Sequence, residues 1–419
     1  MCKSFHLKKI SNHKLYMKIA VISDWHLGVD WGSELENDSF SNLKEAFKQI
    51  EEKKVDLILA PGDLFDQNTP NQEIFYDAIN LLSEINIENN LDLKNQSNRK
   101  LKIPMISIIG NHEYRGKDQK STVDILEAIG FTTFLHKSKI TVIKDSEKIN
   151  VFGMSGIPDK YALEVLKEWN PKPIENEYNI LMLHQSIKEY LPFEDDMIST
   201  ISLSHLPKDF NLIINGHLHW SSLEKLENGT TFILPGSTVT TQLKKLETGK
   251  EKGFFIIDTI TKTMDFEIIK NVRKTYYIDL KFNKEKSENI LQKIKEEINK
   301  KILETENDIK KPLIRVRIKG DLDLGEYNKD LNISNLKKEY EEKIILSITN
   351  NLEEKSLKES IDKLKEIQSK EHVNINDTSF EIFFEQIKQL PISSDFDYKR
   401  IYDLLKNNNI EKVKEILSR

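Results

Sequence analysis

The stretch AVISDWHLG, Ala20 to Gly28, decides how this chain reads. An apolar run ends in a carboxylate, one bulky residue, an imidazole and a glycine. Alone, Asp24 reads as a turn cap and His26 as a surface histidine. Four later runs repeat the chemistry and change that reading. VDLILA leads into PGDLFDQNTP with Asp63 and Asp66, and IPMISII leads into GNHEYRG with Asn111, His112 and Glu113. NILMLH closes on His184, and NLIING is followed by His217 and His219 in GHLHW. Ligand sites in open α/β sheets lie beyond the strand ends, so these side chains are expected to converge.

The supporting fold is legible in the same runs. KIAVIS, VDLILA, IPMISII, NILMLH, NLIING and TFILPG are rich in Ile, Val and Leu and read as strands buried on both faces. Between them Phe40, Leu43, Phe47 and Ile50 recur at helical spacing, as do Ile74, Ile79, Leu82 and Ile85. ITVIKD, INVFGMSG, GFFIID and DFEIIK supply further strands. The pattern predicts an α/β domain over residues 17–270, with central mixed β-sheets flanked by helices. Met17 immediately precedes the first strand, so residues 1–16 read as an N-terminal extension, and Asn86 to Lys100 reads as a loop or frayed helix end.

Composition shifts after Lys270. KTYYIDLKF and PLIRVRIKG read as strands, while Ile290, Leu291, Ile294, Ile298 and Ile302 line one helical face. With a short helix near Leu336–Tyr340 and the run IILSIT, they predict a small α+β domain over 271–350, about 75 residues long. Residues 351–419 read as a charged helical tail. Its apolar positions are Phe380, Ile382, Phe383, Phe384, Ile387 and Leu390, then Ile401, Leu404, Leu405, Val413, Ile416 and Leu417. They are too few to form a core alone.

Bulk properties narrow the classes of function. The 419 residues are 38% hydrophobic and 31% charged, which suits a soluble globular chain of two or three domains. A formal net charge of -6 leaves no global basic footprint, so DNA binding would fall to local lysine clusters or to metal ions. Lysine outnumbers arginine, which favours phosphate contacts over bidentate base readout. The single cysteine, Cys2, precludes an intrachain disulfide framework. No apolar run approaches the roughly 20 residues that span a bilayer, and the N-terminus lacks a signal-peptide core. The expectation is a cytoplasmic protein, nucleoid-associated in a prokaryote.

The strand-end set mixes Asp24, Asp63 and Asn111 with the imidazoles of His26, His184, His217 and His219. That is more than one ion needs, and without cysteine it suits Mn, Fe or Zn. Two ions can activate a water and share the charge of a phosphoryl transition state. Asp63, in a Gly-Asp turn, is the natural bridging carboxylate. Gly62, Gly110 and Gly216 would let the backbone turn sharply and approach the ions. In an extended segment, residues i and i+2 point the same way, so Asp24 and His26 would reach one ion while Trp25 faces elsewhere. Trp25 either packs into the sheet or shapes a DNA-facing rim.

The ordered set D-x-H, GD, GNH(E/D), H and GHxH resembles the calcineurin-like metallophosphoesterases. SDWHLG, GDLFDQNTP, LHQS, ISLSHLPKDFNLIINGHLH and LPGSTVTTQL are similar, more narrowly, to the Mre-eleven/SbcD nucleases of DNA double-strand-break repair. The resemblance covers roughly Met17 to Lys270. It implies the layered metallophosphoesterase fold and two Mn ions, one held by Asp24, His26, Asp63 and His219. Asp63, Asn111, His184 and His217 would hold the second, and His112 would assist the reaction at the scissile phosphate without being a ligand. Trp25 replaces a smaller residue common in the family, and Glu113 stands where Asp is common.

The resemblance further implies a 3′-to-5′ double-strand exonuclease and single-strand endonuclease acting on DNA ends. It implies a homodimer, with α-helical segments near Gln72–Ile85 and Val123–Ile129 either pairing two copies or facing the sheet. It implies a Rad-fifty/SbcC-type ATPase partner in a heterotetramer, docked through the C-terminal tail. Residues 271–350 would cap the cleft, with Lys281, Lys284, Lys286, Arg315 and Arg317 either touching phosphates or forming a solvated surface. The loop QLKKLETGKEKG, Gln242–Gly253, is a further candidate for phosphate contact. Alternatives are a metallophosphoesterase acting on nucleotides or phosphoproteins, and a subunit that mainly tethers DNA ends.

Overall fold

Alternate residues of the first apolar run serve two different cores, which is why it shows no polar face. Ala20 and Ile22 pack into one cluster and Ile19 and Val21 into another. The computed structural model describes residues 17–86, 102–116, 119–144, 147–191, 200–259, 261–306, 308–323, 325–354, 380, 383–384, 387, 397–407 and 409–417. Residues 1–16, and Asn90 to Lys100 with their neighbours, lie outside that set. The chain divides into two compact units.

The first unit comprises Met1–Tyr277, Lys301–Arg315 and Glu342–Ile345. Its chain order is β1 (Lys18–Val21), α1 (Asp38–Glu52), β2 (Leu57–Ala60), α2 (Gln72–Asn86), β3 (Met105–Ser107), α3 (Thr122–Ala128) and β4 (Thr133–Phe134). There follow β5 (Ser138–Lys144), β6 (Glu147–Met154), α4 (Asp159–Trp169), β7 (Tyr178–Leu183), β8 (Leu212–Asn215), β9 (Ser222–Lys225), β10 (Thr231–Leu234), β11 (Gly253–Asp258) and β12 (Met264–Ile268).

These strands form two six-stranded sheets, in the orders β12-β11-β1-β2-β3-β4 and β5-β6-β7-β8-β10-β9. In the first, β1 to β4 run parallel, β11 pairs antiparallel with β1, and β12 pairs antiparallel with β11. In the second, β6, β7, β8 and β10 run parallel, with β5 and β9 antiparallel at the edges. Val21, Leu59, Ile106, Val151, Met182 and Ile214 fill the space between the sheets. On the outer face of the first sheet, Leu43, Phe47 and Ile50 of α1, Ile74, Ala78 and Leu82 of α2, and Val123 and Leu126 of α3 pack onto Ile22, Ile58 and Ala60. Ala162 and Leu166 of α4 cover Met154, Leu181 and Leu183 of the second. The result is a four-layer helix–sheet–sheet–helix sandwich.

The second unit comprises Ile278–Lys300, Val316–Glu341 and Leu346–Arg419. A three-stranded sheet, β13 (Thr275–Glu285), β14 (Leu313–Leu322) and β15 (Ile345–Glu353), accompanies α5 (Ser287–Leu303) and α6 (Ile333–Tyr340). Ile290, Ile294 and Ile298 of α5 are buried four residues apart, as one helical face requires. Of the tail, α7 (Tyr398–Lys406) and α8 (Ile410–Leu417) are described. Rings of Phe380, Phe383 and Phe384 pack on Tyr398 and Tyr402, with centroids 5.2 to 5.6 Å apart. Ile382 and Leu390 lie outside the described residues.

Candidate metal centre

All seven side chains expected at the strand ends meet at one place. The parallel strands β1, β2 and β3 of one sheet and β7 and β8 of the other carry them on the loops that follow their carboxyl ends. Two sheets therefore share the centre. The backbone N–H of His217, after β8, donates to Asp24 Oδ1 at 3.0 Å, after β1, which joins the sheets across the site.

The local geometry of the opening motif differs from the extended expectation. Asp24 has φ of 52° and His26 of 46°, both in the left-handed region, as are Asp63 at 50° and His217 at 76°. An i, i+2 alternation therefore does not explain why Asp24 and His26 face one another. Their backbones are held instead by Asp24 N–H donating to Gly62 O at 3.1 Å and His26 N–H to Asp63 O at 3.0 Å. Conformations of this kind cost of order 1–3 kcal/mol each and persist where surrounding contacts over-determine them. Trp25 is fully buried. Its indole N–H donates to Ile22 O at 3.1 Å and its ring meets Phe47 edge-on. It belongs to the core beneath α1, not to a rim.

On one side of the centre, His26 Nε2 lies 3.2 Å from His219 Nε2, 4.0 Å from Asp24 Oδ1 and 3.9 Å from Asp63 Oδ2. On the other, Asn111 Oδ1 sits 2.9 Å from His184 Nε2 and 2.7 Å from His217 Nδ1, and His184 Nε2 is 3.1 Å from Asp63 Oδ2. Asp63 thus stands between the halves. Its Oδ1 accepts the His112 N–H at 2.9 Å, while its buried Oδ2 makes no hydrogen bond of good geometry among the described residues.

The second ring nitrogen of every one of these imidazoles is engaged. His26 Nδ1 faces Asp66 Oδ1 at 3.1 Å, His184 Nδ1 faces Pro61 O at 2.7 Å, and His219 Nδ1 faces the Thr241 hydroxyl at 2.6 Å. His217 is turned round, its Nε2 held by the Ser186 hydroxyl at 3.1 Å. Acceptors on the far nitrogens of His26 and His184 fix the protonated nitrogen there and leave the inward one a free lone pair. That is how proteins orient imidazole ligands.

Electrostatics give the same picture. Burial alone would raise the Asp63 carboxyl, but the charge and bond of His184, with His26 and His112 behind, hold it far below the usual range. Burial would lower His184, yet Asp63 and Asp24 raise it to about 9, whereas burial and the His184 charge press His217 down to about 3. Asp24 is raised, chiefly by burial. The carboxylate of Asp63 is therefore stabilised by the positive charge beside it. A proton on His184 supplies such charge, and a bound cation would supply it as well. The hard carboxylate and amide oxygens mixed with imidazole suit such an ion. Three groups of side chains could each grip one: Asp24, His26 and His219; Asp63, His184 and His217; and His26, Asp63 and His112.

The glycines make room more than they make turns. Gly62 is left-handed at φ of 93°, but a Cβ on Gly110 would stand 2.0 Å from Asp63 Oδ1. Motif reading missed Glu113 as a structural member of the centre. Fully buried, it accepts backbone N–H groups from Asp63 at 3.1 Å, Phe65 at 3.0 Å and Gly110 at 2.8 Å, and also from Leu64. Burial and the neighbouring Asp63 push its carboxyl up to about 8, and these donors pull the other way. Its place next to His112 was the only signal. Asp66 was noted as a strand-end carboxylate, and the structure adds its contact with His26 and its main-chain grip on His112 Nδ1 at 2.6 Å. His112 is half-buried and lines a cavity of about 260 Å³ together with Asp63, Asn111, His219, Trp220 and Lys244.

The family model for calcineurin-like phosphoesterases matches residues 17–221, the span that carries all seven side chains. Residues 17–221 therefore form a calcineurin-like phosphoesterase domain. The chain is similar to curated proteins of the Mre11 type. It is 27% identical to the DNA double-strand break repair protein Mre11 of Sulfolobus acidocaldarius, across 96% of this chain and 98% of that one. It is 33% identical to the Mre11 of Sulfurisphaera tokodaii over 56% of this chain and 57% of that. The double-strand break repair protein MRE11 of Encephalitozoon cuniculi is 30% identical, with 54% of this chain matched and 43% of the relative. The chain therefore spans under half the length of some curated relatives and nearly all of others. Among the described residues, no helix is long and apolar enough to cross a membrane.

Proposed function

We propose that this phosphoesterase is a two-metal DNA nuclease that processes double-strand-break ends. The observation that carries the proposal is Asp63. It is a buried carboxylate whose Oδ2 lies 3.1 Å from His184 Nε2 and 3.9 Å from His26 Nε2, between imidazoles from both sheets. Asp24, His26, Asp63 and His219 would hold one cation, and Asp63, Asn111, His184 and His217 the other. Manganese is the metal that the family resemblance suggests, and donors of carboxylate, amide oxygen and imidazole without thiolate are compatible with it. When bound, paired divalent ions supply Lewis acidity toward a phosphate and make water acidic enough to act as nucleophile.

The chain's own groups do the rest. Asp66 O anchors His112 through Nδ1, leaving Nε2 to protonate the departing 3′-oxygen. His112 N–H on Asp63 Oδ1 ties this acid to the bridging carboxylate. Lys244 on the cavity wall supplies positive charge for a DNA phosphate. Lys252, from the same loop, is buried and serves another purpose.

The finer proposals are a 3′-to-5′ exonuclease on duplex ends and an endonuclease on single strands. A homodimer is proposed through α2 and α3, where Tyr76 is 66% and Ile125 40% exposed while Ile74, Ala78, Val123 and Leu126 of the same helices are buried in the core. Residues 271–350 would cap the cleft. The amphipathic tail would dock on the coiled-coil base of a Rad-fifty/SbcC-type ATPase in a heterotetramer.

The test is cleavage of linear plasmid-length duplex with Mn²⁺, set against a small chromogenic phosphodiester. Degradation of the duplex supports the nuclease. Turnover of the small ester alone favours a phosphoesterase of nucleotides or phosphoproteins.

A further inference from the structure

A buried ion pair grips His219 from the side opposite its candidate ligand atom. Glu247 and Lys252 are almost wholly buried, with Lys252 Nζ 2.8 Å from Glu247 Oε1. Lys252 also donates to Ser237 Oγ at 2.7 Å and to the carbonyl of His219 at 3.0 Å. Glu247 accepts the backbone N–H groups of Thr241 and Gln242, each at 2.9 Å. Beside the pair and the imidazole stands the Thr241 hydroxyl, 2.6 Å from His219 Nδ1 and 3.5 Å from Glu247 Oε2, and that carboxylate oxygen is itself 3.5 Å from His219 Nδ1, so the hydroxyl makes the shorter contact.

Stability does not account for this arrangement, since buried ion pairs rarely outdo apolar residues of the same volume. Direction does. An ionised Glu247, paired to Lys252, can only accept, so Thr241 donates its proton towards Glu247. Its oxygen then accepts from His219 Nδ1–H. The chain of bonds leaves His219 Nε2 as a lone pair, facing Asp24 Oδ1 at 3.8 Å and His26 Nε2 at 3.2 Å.

We propose that Glu247 and Lys252, acting through Thr241, are positioning residues that fix the tautomer and orientation of His219 for a divalent cation. The inference rests on the two-cation reading of the centre. It assigns to the loop Gln242–Gly253 a second task besides facing substrate, because the pair also clamps the loop's first residues and so sets where Lys244 meets the cleft.

The experiment is titration calorimetry of the full chain with Mn²⁺, together with the melting temperature of the metal-free protein. Thr241→Val removes the hydroxyl and leaves the ion pair whole. It is expected to weaken one of two Mn²⁺ sites by about 10–100-fold, with the other site and the metal-free melting temperature close to wild type. Thr241→Ser is expected to restore the affinity. Glu247→Gln, whose amide can donate towards Thr241 and reverse the chain, is expected to weaken the same site. Wild-type affinity at both sites in Thr241→Val, or no rescue by Thr241→Ser, overturns the inference while the two-cation reading stands. A wild-type protein that takes up no ion overturns both.

Discussion

The carboxylate of Glu113 holds the backbone of Asp63, accepting its N–H at 3.1 Å. The adjacent N–H groups of Leu64 and Phe65 and that of Gly110 converge on the same side chain. Glu113→Gln places an amide N–H₂ against groups that only donate. The expected loss is about 2–4 kcal/mol of stability, from buried donors left unpaired beside a weaker acceptor. Chemical denaturation of the metal-free protein measures it. A variant as stable as wild type refutes the role.

Asp63→Asn removes the carboxylate that, among the described residues, stands between the two halves of the centre. Cleavage is expected to fall by roughly 10²–10³-fold or more. Calorimetry should show fewer than two Mn²⁺ ions bound, and the rise in melting temperature that Mn²⁺ gives wild type, reversible by chelation, should shrink. Unchanged Mn²⁺ stoichiometry would remove Asp63 from its bridging position.

His112→Ala separates two arrangements that the geometry permits. As a proton donor, His112 is expected to contribute about 10²–10⁴-fold to the rate, with Mn²⁺ uptake unaltered in its absence. Because His112 also groups with His26 and Asp63, loss of an ion in this variant would make it a ligand instead.

Trp25→Ala empties a core position without touching a candidate ligand. A cost of about 3–5 kcal/mol is expected, as for other large core truncations. The variant should retain its Mn²⁺ affinity when assayed well below its melting temperature. Selective loss of metal binding in a folded protein would return Trp25 to the site.

Truncation at Thr378 tests the tail. The shortened chain is expected to retain the proposed basal duplex cleavage and to lose co-purification with the proposed Rad-fifty/SbcC-type ATPase. A complex that survives the truncation excludes the tail as the docking element.

Much of the fold was legible because its strands are buried on both faces. Such strands are unbroken apolar runs, and β1, β2, β3, β7, β8 and β10 all coincide with runs visible by inspection. The division into two sheets was not legible, since a run such as NLIING carries no mark of which neighbour it pairs with. Glu113 escaped notice as a structural residue because its partners are backbone N–H groups, which no side-chain motif records. Glu247 and Lys252 escaped because a charged pair in a lysine-rich loop looks like solvated surface until burial is known.

By itself, the sequence determined which chemistry was available and in what order along the chain. Asp24, His26, Asp63, Asn111, His184, His217 and His219 each follow a strand, a company that suits a metal centre. The tertiary structure alone decided the rest. Asp24 meets His217 across 193 positions of chain, and it does so in a left-handed backbone that no alternation of side chains foretells. Periodicity is a property of a few neighbouring residues, whereas a hydrogen bond between two loops depends on how two sheets stack. The same stacking chose which ring nitrogen of each imidazole faces inward, and buried Trp25 in the core while turning the residues on either side of it towards the centre.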